Sequence, residues 1–219
     1  MSATLDRLEQ DRLTQSGEAA WPRAVTHLDN GRLMTPEEFD AIEEFEDGYA
    51  YELIHGVLVV NAAPGPIETD PNELLGHLLR TYAEQHPGVI DKTVYEQYLR
   101  VSNGRRRVDR VVWIGLGRIP KWRVDVPAIA VEFLSAGTRS RVRDYVEKRA
   151  EYLAVGVKEY WLFDRFRRQL TVFSAAGEQR FTAEQIYTTP LLPEFALPVG
   201  TILACADDWV ELETEDDSP

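Results

Sequence analysis

Hydrophobic and polar positions in the first third of the chain predict a short helix followed by a β-hairpin. The segment Thr35-Pro36-Glu37-Glu38 is a capping box with proline at the first helical position, so a helix should run from there to about Glu44. Residues 51–60 alternate as two strands would, and the His55-Gly56 pair between them is suited to a tight turn.

The middle of the chain predicts helices and strands in a fixed order. A second helix should begin at Asp70 and end at Pro87-Gly88, with a leucine-rich buried stripe between them. Three strands, a helix and two further strands should follow, over residues 89–101, 107–114, 127–134, 140–154, 157–163 and 169–173. The strand over 127–134 is apolar on both faces, which is typical of a central strand covered on two sides.

The order helix, three strands, helix, strand is satisfied most simply by a mixed sheet between helices. The predicted fold is therefore α/β, with the early helix and hairpin as N-terminal additions to that core. Residues 1–33 mix charged, Gln and small residues with little period, which predicts a flexible arm. Residues 34–205 should form one domain, and the acidic segment 206–219 should be a disordered tail.

Length and composition agree with a single globular domain. The chain has 219 residues with ordinary apolar and charged fractions. No apolar run approaches the roughly 20 residues that a membrane helix needs, and the start of the chain does not resemble a secretion signal. The single cysteine, Cys205, excludes an intramolecular disulfide and a multi-cysteine metal site. We expect a cytoplasmic protein without membrane contact.

The distribution of charge changes what the net charge implies. A net charge of -13 argues against nucleic-acid binding, which depends largely on Lys and Arg. Residues 100–168, however, hold 17 Lys and Arg against 8 Asp and Glu. Within this basic block, Arg105, Arg106, Arg107 and Arg141 are candidates for contact with a nucleic-acid backbone. Chance clustering of charges on a solvated face is the alternative.

Glu132 is the most informative residue in the sequence because it lies inside an apolar strand. A buried carboxylate is costly unless it is paired, hydrogen-bonded or bound to a metal. Asp109 lies on the preceding predicted strand, and two acids on adjacent strands can share a hard cation such as magnesium. Such an ion supports phosphodiester hydrolysis. The alternative for Glu132 is a structural salt bridge to a buried arginine.

Lys148 follows on the next predicted helix, at four-residue spacing from Asp144 and Tyr152. A lysine directed at the metal would orient the attacking water or stabilise charge on the phosphate. Val142 and Val146, with other apolar residues, mark a different face as the main apolar side of this helix. An exposed lysine paired with Asp144 is therefore the alternative.

These segments together resemble one protein family. The segments 51–56, 131–135 and 156–161, the strand with Asp109, and the Asp144, Lys148 and Tyr152 series are similar in order and spacing to the Uma-two (Uma2) family. Its members are described as restriction endonucleases of the PD-(D/E)XK superfamily. The resemblance covers residues 34–203 and implies a restriction-endonuclease-like core of helix, three strands, helix and strand.

The resemblance also implies roles for individual residues. Asp109 and Glu132 would bind magnesium or manganese, Lys148 would assist catalysis, and Glu52 would be a further carboxylate of the site or a brace for the hairpin. The chain departs from the pattern at Val108, where the family usually has proline. It also departs at Leu134, where the superfamily commonly has its lysine.

The sequence therefore predicts a metal-dependent endonuclease that hydrolyses DNA and, by analogy with such enzymes, works as a homodimer. One alternative is a catalytically inactive protein of the same fold that serves as a binding or assembly module. Another is a metal-dependent hydrolase of small phosphate compounds.

Overall fold

The computed structural model describes residues 24–216, apart from the side chains at 139 and 210–216. The helices are α1 Pro36–Asp40, α2 Pro66–Gln85, α3 Thr138–Val142, α4 Arg149–Ala154 and α5 Val199–Asp216, with a 3-10 helix at His27–Asp29 and a π-helical segment at Arg143–Lys148. The strands are β1 Ala24–Val25, β2 Glu44–Phe45, β3 Tyr49–Ile54, β4 Val57–Ala62, β5 Ile90–Val101, β6 Gly104–Ile114, β7 Ile129–Phe133, β8 Glu159–Asp164, β9 Gln169–Ser174, β10 Gly177–Thr182, β11 Ile186–Thr189 and β12 Leu192–Pro198.

The predicted α/β fold is confirmed. Helix α2, strands β5, β6 and β7, the helical run 138–154 and strand β8 follow one another in the expected order. Strands β3 to β10 form an eight-stranded sheet, in which β7 and β8 are parallel and the other paired strands are antiparallel. No helix within residues 24–216 is both long and apolar enough to cross a membrane.

Two apolar layers cover the central strands. On one face, Leu75 and Leu79 of α2 and Ile202 of α5 join a cluster that includes Val131 and Trp161. On the other face, Tyr152 of α4 packs in a cluster with Tyr160 and Leu162 of β8. Burial on both faces explains why β7 and β8 are almost wholly apolar in sequence. It also makes the few charged residues on these strands stand out.

The N-terminal additions form as predicted, although α1 is shorter than expected. Thr35 caps α1, and its side chain accepts a hydrogen bond from the Glu38 amide. His55 and Gly56 both have positive φ, as the two central residues of a type I′ hairpin turn require. Helix α2 begins at Pro66, four residues earlier than the predicted start at Asp70.

The structure differs from the prediction at both ends of the domain. Residues 24–33, predicted as part of a flexible arm, include β1 and the 3-10 helix, and Val25 is buried. The Asn30 side chain accepts a hydrogen bond from the Val60 amide of β4, which attaches this segment to the hairpin. Helix α5 continues to Asp216 through most of the predicted acidic tail. The rest of the predicted arm, residues 1–23, lies outside the described residues.

Two different strands pair with separate parts of one edge of β6. Strand β5 pairs with β6 along its whole length, from Gly104 to Ile114. The other edge pairs with β3 only at Arg105 and with β7 only from Arg110 to Val112. Between these two contacts the sheet is open at residues 106–109. This fork in the sheet positions the cleft described below.

Gly104 fixes the β3 side of the fork. A Cβ atom added at this position would meet the backbone carbonyl oxygen of Leu53, which cannot move without disturbing β3. We expect Gly104→Ala to lower the free energy of unfolding by about 1–3 kcal/mol, as overpacking in a core does. Urea unfolding followed by circular dichroism measures this change.

Gly65→Ala is the matched control for that substitution. An added Cβ at Gly65 lies 3.7 Å from a flexible Glu68 oxygen, and φ there is negative. The control should cost less than about 1 kcal/mol, the scale of a helix N-cap change. Equal unfolding midpoints for Gly104→Ala and wild type would contradict the proposed role of the Leu53 contact.

Candidate active site

The fork opens into a cleft of about 410 Å³ at the surface of the domain. All four predicted site residues line it: Glu52 on β3, Asp109 on β6, Glu132 on β7 and Lys148 at the end of the π-helical segment. Residues separated by almost a hundred positions in sequence are thus brought to one place. Their convergence follows from the strand order, because β3 and β7 meet the same edge of β6.

Asp109 and Glu132 face each other across the open part of the fork. The last registered pair between β6 and β7 is Arg110 with Val131, so Asp109 and Glu132 occupy the next position on each strand. One Asp109 carboxyl oxygen, Oδ2, accepts a hydrogen bond of 2.7 Å from the Phe133 amide. The predicted proximity of these two acids is confirmed by this geometry, and their predicted role as metal ligands stays a prediction.

The pKa of each of the two carboxyls is shifted upward. Burial raises the pKa of Asp109 to about 6, although the Lys148 charge and the Phe133 amide act in the opposite direction. Burial also raises the pKa of Glu132 well above its usual value, and the charge of Asp109 adds to that effect. The two buried acids therefore resist carrying full negative charge at the same time.

Lys148 is buried and points into the site. Its Nζ atom lies 2.8 Å from Glu132 Oε2 and 3.6 Å from Asp144 Oδ1, and only 4% of its side chain is exposed. Burial alone would lower the pKa of Lys148, but the charges of Glu132 and Asp144 raise it above its ordinary value. The ammonium group therefore stays protonated through the physiological range.

The face of the helix that carries Lys148 corrects one sequence expectation. Val142 and Val146, which mark the apolar side of a regular helix, are 50% and 60% exposed, whereas Asp144, Lys148 and Tyr152 are buried. Residues 143–148 adopt a π-helical turn, a rare geometry that occurs frequently at functional sites. The buried side of the helical run therefore combines the charges of Asp144 and Lys148 with the packing of Tyr152 in the core.

Three residues that the sequence did not single out as members of the site complete its polar contacts. The Tyr152 hydroxyl donates a hydrogen bond of 2.6 Å to Glu132 Oε1. Asp144 is buried beside Lys148 and accepts a hydrogen bond of 3.0 Å from Arg143 Nε. Arg143 itself lines the cleft. The four-residue spacing of Asp144, Lys148 and Tyr152 was the available signal, but spacing alone does not show which face is buried.

Glu52 joins the hairpin to the open edge of β6. Its Oε1 accepts a hydrogen bond of 3.0 Å from the Arg107 amide, which has no strand partner at that position. The buried Arg106 guanidinium approaches Glu52 Oε2 to 3.9 Å. Glu52 thus braces the hairpin and lines the wall of the cleft, and its role as a further carboxylate of the site stays a prediction.

The arginines proposed for nucleic-acid contact divide into two groups. Arg105 is 6% exposed and donates two hydrogen bonds to Asp40, and Arg106 is fully buried with two hydrogen bonds to Glu151. The prediction that these two arginines contact a nucleic-acid backbone is wrong, because both are buried and are paired with carboxylates inside the protein. Arg107 is half-buried, lines the cleft and pairs with Glu96 at 2.6 Å.

Arg141 differs from those three residues. Its guanidinium lies over the ring of Phe166, with its central carbon 5.5 Å from the ring centroid. The side chain is half-buried, and its Nε atom has no hydrogen-bond partner in the described structure. Contact of Arg141 and Arg107 with a nucleic-acid backbone therefore remains a proposal.

The carboxylates fit a cation that needs few protein ligands. Within residues 24–216, no group of three or more His, Cys, Asp or Glu side chains is arranged to hold a metal ion. Magnesium usually binds one or two carboxylates, keeps several waters and takes further oxygens from substrate phosphates. Two neighbouring carboxyls with raised pKa values at an open cleft suit such an ion, because a bound cation would offset the repulsion between them.

Comparison with known proteins gives two findings. The Uma2 family model, described as "Putative restriction endonuclease", matches residues 36–200. A solved structure of "a putative nuclease belonging to DUF820" from Anabaena variabilis aligns with a TM-score of 0.64 at 15% identity. The alignment covers 79% of this chain and 99% of that chain, and at this identity it shows a shared fold. No curated protein gives a significant match.

The raised pKa of Asp109 predicts an unusual pH dependence of stability. The folded protein holds this proton more tightly than the unfolded chain, for which the pKa is 3.8. Stability is therefore lost as the pH rises from about 4 through about 6. In metal-free protein at pH 8, we expect Asp109→Asn to be more stable than wild type by about 1–3 kcal/mol. At pH 4 the two proteins should have similar stability.

Asp125→Asn is the control of opposite sign. A hydrogen bond from Arg118 lowers the pKa of Asp125 to about 2, so this carboxylate stabilises the folded state above that pH. Asp125→Asn should lower stability at pH 8. Chemical denaturation in the presence of chelator, repeated across the pH range, measures both effects. An Asp109→Asn protein that is less stable than wild type at pH 8 would refute the assignment.

Proposed function

The chain belongs to the Uma2 family, and from that premise we propose that it is a metal-dependent endonuclease that hydrolyses phosphodiester bonds of DNA. The observation that carries the proposal is the convergence of Asp109, Glu132 and Lys148 at one cleft. A protein that needed these charges only for stability would be better served by apolar residues, because buried ion pairs contribute little to stability.

The two facing carboxylates, Asp109 and Glu132, are the proposed ligands of magnesium or manganese. A metal ion held by these two residues would supply Lewis-acid chemistry toward a phosphate oxygen and would lower the pKa of a nearby water. Tyr152 is a positioning residue in this scheme. Its hydroxyl holds one oxygen of Glu132, which restricts the orientation of the carboxylate.

Lys148 has the properties of an electrostatic stabiliser. It remains protonated, because the neighbouring carboxylates raise its pKa, so it does not accept a proton from the attacking water. Its ammonium group is held in place by ion pairs with Glu132 and Asp144. Preorganised donors of this kind stabilise the negative charge that develops on a phosphate in the transition state.

The remaining cleft charges suit a phosphate backbone. Arg107 and Arg143 line the cleft, and Arg141 follows β7 in the same helical run as Lys148. Each is partly occupied by an internal contact, so a phosphate would share or replace that contact. We further propose that the protein acts as a homodimer, since duplex DNA presents two strands to be cut. Light scattering at working concentration tests the oligomeric state.

The test of the function is metal-dependent cutting of DNA. We expect purified protein to nick or linearise supercoiled plasmid with magnesium or manganese and to stop when chelator is added. Asp109→Asn and Glu132→Gln should abolish cutting, while Arg180→Gln on the distant edge strand β10 should leave it unchanged. Wild-type protein that binds DNA but does not cut it with either metal would instead favour a binding module.

Lys148→Met tests the lysine separately from the metal. Methionine keeps much of the buried apolar volume but removes the donor, so the rate of cutting should fall by about 10²-fold. Manganese binding, measured by calorimetry, should persist because Asp109 and Glu132 remain. A Lys148→Met protein with a wild-type rate would exclude a role for the ammonium group. Thermal melting shows whether the variant is folded.

A further inference from the structure

A second recess on the same side of the domain combines aromatic walls with an excess of arginine. It has a volume of about 100 Å³, and we call it the Trp122 pocket. Its aromatic lining consists of Phe39, Phe45, Tyr98 and Trp122. Phe39 and Tyr98 pack edge to face with centroids 5.4 Å apart, which makes this wall rigid. Trp122 is 46% exposed, so part of its indole surface is accessible to a ligand.

The charges around the pocket favour an anion. Arg100 and Arg105 both donate hydrogen bonds to Asp40, the one carboxylate among the residues that line the pocket. Arg123 is the third arginine of the lining, and its guanidinium lies over the Trp122 ring with its central carbon 4.7 Å from the centroid. In the described part of the chain, no ion pair is formed by Arg123. Arg105 offsets the charge of Asp40, so Arg100 and Arg123 leave the pocket with positive charge.

The Trp122 pocket is connected to the cleft of the candidate active site. A shallow recess between them shares Phe45 and Tyr98 with the pocket, and shares Glu96 and Arg107 with the cleft. This recess also carries acidic residues such as Glu46. Phosphate contacts are therefore expected at its two ends, where the arginines lie, more than along its floor.

We propose that the Trp122 pocket binds a nucleotide of the substrate strand that has left the base stack. Its base would stack on Trp122, and its phosphate would contact Arg123 and Arg100. Stacking on an exposed aromatic ring beside a basic group is a general way to hold unpaired nucleotides. The proposal rests on the proposed function, because it assigns to that DNA substrate a single-stranded segment next to the scissile position.

Binding without cutting tests this proposal independently of catalysis. In chelator, we would measure the anisotropy of a labelled duplex with a single-stranded arm and of the matched blunt duplex. Trp122→Ala should weaken binding of the armed duplex about tenfold, the scale of one lost stacking contact, and leave the blunt duplex unchanged. Arg123→Gln should weaken it too and reduce the salt slope by about one.

Trp209→Ala and Arg180→Gln are the controls for these substitutions. Trp209 is another partly exposed tryptophan, on α5, and Arg180 is an exposed arginine on β10. Neither control should change the affinity for the armed duplex. Thermal melting of Trp122→Ala should match that of wild type, because Trp122 lies in an exposed loop segment.

The outcomes separate this proposal from the proposed function. Equal affinity of wild type and Trp122→Ala for the armed duplex would overturn it, even if plasmid cutting is observed. Trp122-dependent binding without any cutting would support it and contradict the nuclease proposal alone. A free mononucleotide that binds as tightly as the armed duplex, in a Trp122-dependent way, would overturn the assignment to a strand.

Discussion

The division of one edge of β6 between β3 and β7 is the constraint on which the rest of the site depends. Where two strands pair with different parts of the same edge, the backbone amide and carbonyl groups between them have no strand partner and must form other hydrogen bonds. Here the Arg107 amide donates to Glu52, and the Phe133 amide donates to Asp109. The carboxylates that line the cleft thus also close the gap in the sheet. Glu52 and Asp109 therefore serve both the sheet and the cleft, so we expect substitutions at either position to be poorly tolerated.

The electrostatics of the cleft follow from this geometry. Asp109, Glu132 and Asp144 are brought close together, and their mutual repulsion is opposed chiefly by Lys148. Such an arrangement is less stable than an apolar core of the same shape. The proposed cation would offset this repulsion and so would account for the arrangement.

Much of the fold was predictable because its signals are local. Capping at Thr35, the turn at His55-Gly56 and the apolar pattern of β7 each specify an element from neighbouring residues. The site was predictable only in part. Glu132 is conspicuous because a charge within an apolar strand needs a partner, but the fates of Arg105 and Arg106 depend on Asp40 and Glu151, which are distant in sequence. The π-helical turn that sets the face of Lys148 has no local sequence signal that we can identify.

The placement of Lys148 on a helix, and not two residues beyond Glu132 at the end of β7, has an evolutionary consequence. The direction of a lysine in line with the strand depends on the alternation of the sheet, so a one-residue insertion or deletion there would move it to the opposite face. A lysine on a helical turn is free of that restriction, and a π-helical turn differs from a regular one by a single extra residue. Lineages with this arrangement can therefore shift or lose the lysine by a one-residue insertion or deletion in the helix, while the strands that hold Asp109 and Glu132 stay unchanged.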